Sequence, residues 1–249
     1  MKGIEYRIKW MGEAKHLTTE NLTAFGDTVV IAPHPDDESL GCGGTIALLT
    51  EAGVNVRVIF VSDGSMSHPN SIQYPVDKRI ALREDEALKA LSLLGVDKTK
   101  VSFMRWPDSK VPGINEDDFE LAVNALTEHF MLTEPQTVLL PWQNDPHPDH
   151  RSTWQIADEV IKISGLYPRV LQYIIWLWER GAEADLPEDG KAKWTAIDIS
   201  SKLNIKKAAI QAHVSQVTNL ISDDPEGFVL SEEVLSHFEH PYELFIENV

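Results

Sequence analysis

Two short stretches combine imidazoles and carboxylates densely enough to do chemistry. The first is His34-Pro35-Asp36-Asp37-Glu38 and the second is Asp145-Pro146-His147-Pro148-Asp149-His150. Three consecutive carboxylates repel one another, and a folded chain keeps them together only where positive charge compensates. A divalent cation is the simplest such charge. A catalytic zinc takes three protein ligands, commonly two histidines and a carboxylate, and keeps one position open. His34 and Asp37 on a tight turn could supply two ligands, and one histidine of the second stretch the third. A remaining acid would then be free to take a proton from water. Spacing alone does not rank Asp36 against Asp37, or His147 against His150. Capping of a helix by Asp36, Asp37 or Ser39 explains one acid. It does not explain three acids and a second His/Asp cluster.

The surrounding elements must bring the two stretches together. Residues 28–33 are a β-branched run that predicts a buried strand, and the helix after it starts near Ser39 and stops at Gly53. Residues 54–62 read as the next strand, 77–95 as a helix, 101–105 as a strand and 116–134 as a helix. Residues 137–141 form a further strand that leads into the second cluster, and 151–163 are helical. This alternation predicts an α/β fold, a Rossmann-like, mostly parallel sheet with helices on both faces. Ligands of such sheets sit beyond the carboxyl ends of the strands, where both clusters fall. Past residue 166 the pattern changes. Residues 170–178 and 194–199 read as strands and 201–220 as one helix, while 182–191 read as a surface loop. The expected organisation is an N-terminal extension, 1–27, followed by a single domain, 28–249.

The balance of 22 Lys and Arg against 39 Asp and Glu gives a net charge of −17, which argues against nucleic acid or an anionic membrane as partner. The single cysteine, Cys42, allows no intrachain disulfide, and the N-terminal residues lack the apolar core of a signal peptide. No segment has the run of about 20 apolar residues that a membrane span needs. A cytoplasmic protein acting on a small molecule is the expectation. The extension could serve as an edge strand or as the arm of a homo-oligomer.

The two motifs, PHPDDE after a first strand and HPDH downstream, resemble those of the PIG-L/LmbE-like zinc-dependent deacetylases. These are relatives of the GPI-anchor, mycothiol and bacillithiol pathway enzymes that act on N-acetylglucosaminyl compounds. The segments SDGSMS from Ser62, LREDEALKALSLLGV from Leu82, MRWPDSKVPG from Met104 and KAAIQAHVSQ from Lys207 are similar too, so the resemblance covers residues 28–220. It implies Zn2+, with Fe2+ or another divalent ion as substitutes, held by His34, Asp37 and His150. It also implies Asp36 as general base, His147 as the group that stabilises the oxyanion or protonates the amine, and Asp149 as the carboxylate that orients His147 or tunes its basicity. By the same resemblance Arg83 contacts a small-molecule N-acylated sugar. Asp63 and Asp108 are candidate partners for sugar hydroxyls, and Trp142, with Trp106, a candidate aromatic wall.

Two other classes fit parts of the pattern. His34, Asp36 and His150 also make the two-histidine, one-carboxylate triad of non-haem Fe(II) oxygenases, which would depend on oxygen and 2-oxoglutarate. A carbohydrate-binding protein with a structural metal would have lost its general base, and Asp36 is present. Gly41 to Gly44 lack the spacing of a phosphate loop. Cys42 reads as a small packed residue and His213 as a structural hydrogen-bonding group.

Overall fold

The run Thr28-Val29-Val30-Ile31-Ala32 offers no polar face to water, so it is stable only with cover on both sides. In the computed structural model, which describes residues 2–188 and 190–248, all five of these side chains are buried at the centre of the sheet. The first half of the chain forms α1 (Lys2–Glu13), β1 (Lys15–Leu17), β2 (Thr28–Ala32), α2 (Asp37–Glu51), β3 (Val56–Ser62), α3 (Val76–Leu93), β4 (Val101–Trp106) and α4 (Phe119–Met131). Next come β5 (Thr137–Pro141), α5 (Pro148–Ser164), β6 (Arg169–Tyr173), α6 (Leu177–Arg180) and β7 (Ala192–Asp198). Helices α7 (Leu203–Ala212), α8 (Val214–Val217) and α9 (Glu232–Ser236) precede the last strand, β8 (Tyr242–Asn248).

The strands form one eight-stranded sheet in the order β1-β7-β8-β6-β5-β2-β3-β4. Only β8 runs antiparallel to its neighbours, β6 and β7. From β2 the chain winds outward through β3 to β4, then returns through α4 to place β5 on the other side of β2. The winding therefore reverses between β2 and β5, which opens a crevice beyond their carboxyl ends. His34 follows β2 and Asp145 follows β5, so the fold class and the placing of both clusters agree with the sequence reading. The extension supplies α1 and the edge strand β1, which pairs with β7.

Alternation along β2 assigns its residues to two cores. Val30 and Ala32 pack with Ile46, Leu49, Leu91 and Ile210 from α2, α3 and α7. Val29 and Ile31 pack with Leu126, Phe130, Ile156 and Val160 from α4 and α5. Truncating a fully buried leucine such as Leu126 to alanine costs about 2–5 kcal/mol, because transfer energy and a cavity are both lost.

Three local features depart from the sequence expectation. The strand expected through residue 178 ends at Tyr173, because Asp145 Oδ2 accepts the amide of Trp176 at 3.0 Å and turns the chain into α6. The helix expected over 201–220 breaks at His213, whose ψ of 59° is not helical. Helix α2 breaks at Cys42 (φ −144°, ψ 19°). There Glu243 of β8 accepts the freed amides of Gly44 and Thr45, each at 2.8 Å, and the buried Lys206 ammonium balances it at 2.7 Å. The glycines at this break are contact residues. A Cβ on Gly41 would lie 2.4 Å from the Tyr173 ring, and one on Gly44 2.6 Å from Ile199 Cδ1.

Candidate metal centre

The turn after β2 is built from its own acids. The Asp37 carboxylate accepts the His34 backbone amide at 2.9 Å, and the His34 carbonyl accepts the Asp37 amide at 3.2 Å. Between them Asp36 stands at φ 148°, a conformation that costs a non-glycine residue about 1–3 kcal/mol and persists only where the surroundings enforce it. The enforcing group is Glu38, fully buried, whose Oε2 accepts the Asp36 amide at 3.0 Å. Glu38 Oε1 accepts from Ser39 Oγ at 2.6 Å and faces His213 Nε2 at 3.1 Å.

The second cluster is the N-terminal turn of α5. His147 caps the helix with its ring, Nδ1 accepting the Asp149 amide at 3.2 Å, and Pro148 follows at the first helical position. Asp145 Oδ1 accepts the His147 amide at 3.0 Å and lies 3.3 Å from His150 Nδ1.

The two clusters meet at Asp37. Its Oδ2 lies 3.2 Å from His34 Nδ1 and 3.2 Å from His150 Nε2. On the far side of the His34 ring, Nε2 lies 3.2 Å from Asp149 Oδ2 and 3.3 Å from Asp108 Oδ1. Ligand atoms of His34, His147 and His150 all fall within 4.8 Å of one another, as do those of His34, Asp108 and Asp149. Neither ring nitrogen of fully buried His150 makes a well-directed hydrogen bond, although Asp37 and Asp145 oxygens stand 3.2 and 3.3 Å away. Buried polar atoms are rarely left so, and a cation beside Nε2 would satisfy that one. The residues therefore fit a divalent metal.

The ionisation pattern says the same. Burial opposes charge on His34, but Asp108, Asp149 and Asp37 outweigh it and hold the imidazole well above its ordinary value. For His150, burial is again overcome, by Asp37 and Asp145, and the value is pushed up to about 9. Asp37 moves the opposite way: His150 and His34 outweigh burial and hold its carboxyl well below the carboxylate range. The acids thus draw positive charge onto two imidazoles, charge that a metal ion would replace. Asp36 differs, since burial pushes it up to about 6 while Arg83 resists. His147 is brought down to about 4 by burial and by its neighbours His34 and His150.

Geometry separates residues that spacing could not. An Nδ1 that accepts a hydrogen bond from a backbone amide leaves the ring proton on Nε2, so in this arrangement His147 offers a donor beside the cleft that it lines. His150 has no such commitment. Asp37 lies between two imidazoles, whereas Asp36 Oδ2 turns to Arg83 Nη2 at 3.2 Å. The facial triad of His34, Asp36 and His150 is disfavoured on that ground.

A cleft of about 210 Å³ opens over the centre, lined by His34, Asp36, Asp37, Arg83, Asp108 and His147 on its polar side. Three expected roles need correction. Trp142 does not line the cleft: it is buried, and its indole N–H donates to the Asp185 carbonyl at 2.7 Å. Asp63 also lies outside it, its Oδ1 accepting the amides of Ser65 at 2.9 Å and Asp108 at 3.1 Å. The Asp149 carboxylate orients His34 rather than His147, on which it acts only through its charge, and is itself held by the Ser109 amide at 2.7 Å. Arg83 does line the cleft, but its guanidinium is bound to Asp36 and donates to the carbonyls of Pro35 and Gly64.

The sequence reading missed Trp176, Phe228 and Leu230 of the opposite wall, and Asp145 behind His150. Trp176 stacks under Arg180, 4.1 Å from its guanidinium, and meets Phe228 edge-on at 5.8 Å. In the sequence Trp176 looks like part of a strand and Phe228 like part of an irregular tail, so neither carried a signal. Asp145 did carry one, standing two residues before His147 in the same motif.

A Rossmann-like sheet with a His/Asp centre at its switch point defines a class of metal-site α/β proteins. The family model for PIG-L, GlcNAc-PI de-N-acetylase, matches residues 29–161, and the chain belongs to that family. It is 31% identical over 242 residues, 82% of this chain and 85% of the relative, to a 1D-myo-inositol 2-acetamido-2-deoxy-alpha-D-glucopyranoside deacetylase of Mycobacteroides abscessus. It is 28% identical to the diacetylchitobiose deacetylase of Thermococcus kodakarensis, over 75% of this chain and 68% of the relative. Among solved structures, N,N'-diacetylchitobiose deacetylase of Pyrococcus horikoshii in complex with an inhibitor is similar, with a TM-score of 0.68 and 25% identity. That likeness covers 92% of this chain and 87% of the other.

Proposed function

We propose that the protein hydrolyses the N-acetyl amide of an amino sugar, using a divalent metal, with zinc the first choice, held by His34, Asp37 and His150. The observation that carries this reading is the position of Asp37 between the two imidazoles, with Asp36 and His147 lining the same cleft. Deacetylase activity on N-acetylglucosamine-containing compounds, named for the relatives, supports it.

A divalent ion in that place supplies Lewis acidity, polarising a carbonyl and acidifying water. The chain's own residues do the rest. Asp36 takes a proton from the attacking water, and Arg83 keeps it ionised for that purpose. The Nε2–H of His147 donates to the developing oxyanion, and the proton that Asp36 took from water passes to the departing amine as the C–N bond breaks. Acetate and a free amino sugar leave. Asp149 and Asp108 hold the His34 ring in place, as Asp145 does for His150. Trp176 and Phe228 give the sugar ring an apolar wall, and Asp108 a hydroxyl acceptor. A cytoplasmic setting belongs to the same reading and rests on the single cysteine.

The test is to strip the protein of metal with a chelator. It is then assayed on N-acetylglucosamine and N,N'-diacetylchitobiose before and after Zn2+ or Fe2+ is restored, reading free amine. Amine release only after restoration is expected. Release by the stripped protein, or none from any N-acetylated sugar with either ion, contradicts the reading.

A further inference from the structure

We infer that His213 is a positioning residue for Asp36 and acts through Glu38. The inference rests on the reading of Asp36 as the base and extends it to a side chain outside the cleft lining. Three observations converge. Asp36 sits at φ 148°, and a single side chain, Glu38, accepts its amide. Glu38 has no exposure to water, and the other oxygen of its carboxylate is shared by Ser39 Oγ and His213 Nε2. His213 is buried too, and it stands where the chain breaks between α7 and α8.

The break gives this arrangement its purpose. A continuous helix through 201–220 would carry His213 along a regular face. The interruption instead sets one short segment against three parts of the site. His213 reaches Glu38, while the Ser215 amide and hydroxyl both donate to Glu86 on the buried face of α3, each at 2.7 Å. Gln216 reaches Ser67 and lines the cleft. Glu86 and Arg83 share that face of α3, so the segment fixes the helix that presents Arg83 to Asp36 while His213 fixes the turn that presents Asp36 to the cleft. Without the His213 donor, Glu38 keeps only the flexible Ser39 hydroxyl on that oxygen and can rotate away from the Asp36 amide. The strained turn then relaxes and its carboxylate leaves the reacting water.

The conservative replacement is glutamine, whose side-chain amide nitrogen can occupy the place of Nε2. Metal-loaded His213→Leu and His213→Gln are compared with the parent protein for kcat and KM on N-acetylglucosamine and for bound metal. Hydrogen–deuterium exchange across residues 33–40 is followed in the metal-free proteins. His213→Leu should lower kcat by about 10- to 100-fold, the loss that misplacement of a reacting group by an ångström brings, with KM and metal content unchanged. The Asp36 amide should exchange faster. His213→Gln should restore most of both. A wild-type kcat in His213→Leu, or equal damage in the two variants, would overturn the inference. If His213→Leu does not fold, Glu38→Gln carries the test. It keeps the shape but offers a single acceptor oxygen to donors on both sides, so it must show the same loss of kcat with metal retained. If the parent releases no amine, the deacetylase reading fails, and the exchange measurement still decides whether His213 holds the turn.

Discussion

Asp36 and Asp37 are neighbours with opposite environments, and that difference divides the labour between them. Asp37 faces two imidazoles, Asp36 one guanidinium, and burial acts on both. Charge on His34 and His150 is what the metal must displace, because imidazole ligates only in its neutral form. Titration calorimetry with Zn2+ in buffers of different ionisation heat should therefore show about two protons released per ion at pH 7. Both imidazoles have raised values, His150 at about 9, so protons compete for the site. Affinity should rise with pH across the neutral range. Binding without proton release would exclude these two ligands. His150→Ala should abolish stoichiometric metal, and wild-type occupancy in that variant would sink the assignment.

At the scale of elements, α3 and the broken α2 carry the site. The buried face of α3 includes Arg79, Arg83 and Glu86, charges that an amphipathic reading places in water, because the carbonyls of Pro35, Gly64 and Ser65 and the Ser215 amide meet them there, while Leu91 further along reaches the core. Arg83 opposes the upward pull of burial on Asp36. Arg83→Met should raise the value of Asp36 above about 6 and move the acid limb of the kcat–pH profile to higher pH. An unmoved limb, with only KM affected, would return Arg83 to the role of a substrate contact. In α2, Glu243→Gln leaves Lys206 buried without its counter-charge and should destabilise the fold by about 3–5 kcal/mol in chemical denaturation. A loss under about 1 kcal/mol would show that the break is held by packing alone. Most elements were legible from periodicity, since strands such as β2 and helices such as α4 bury one regular pattern. The breaks at Cys42 and His213 were not, because Glu243 and Glu86, distant in sequence, accept the amides beside them.

For the whole molecule, the reversal of winding between β2 and β5 makes one centre out of two separate motifs. That much was readable, because the motifs follow strands whose order the alternation implies. The opposite wall of the cleft was not, since Trp176, Phe228 and Leu230 arrive on irregular segments after β6 and α8 that only the tertiary fold brings near His34. Trp142 misled for the same reason: its place next to a motif said nothing about which way its ring turns. The central claim is that the centre joins a metal held by one set of side chains to a base supplied by another. The most direct test is Asp36→Asn, assayed for metal and for turnover together on an N-acetylated sugar that the parent deacetylates. The account predicts full metal occupancy with kcat reduced by about 10²- to 10⁴-fold, the range that general base catalysis contributes. Turnover near the parent rate with metal in place would contradict it.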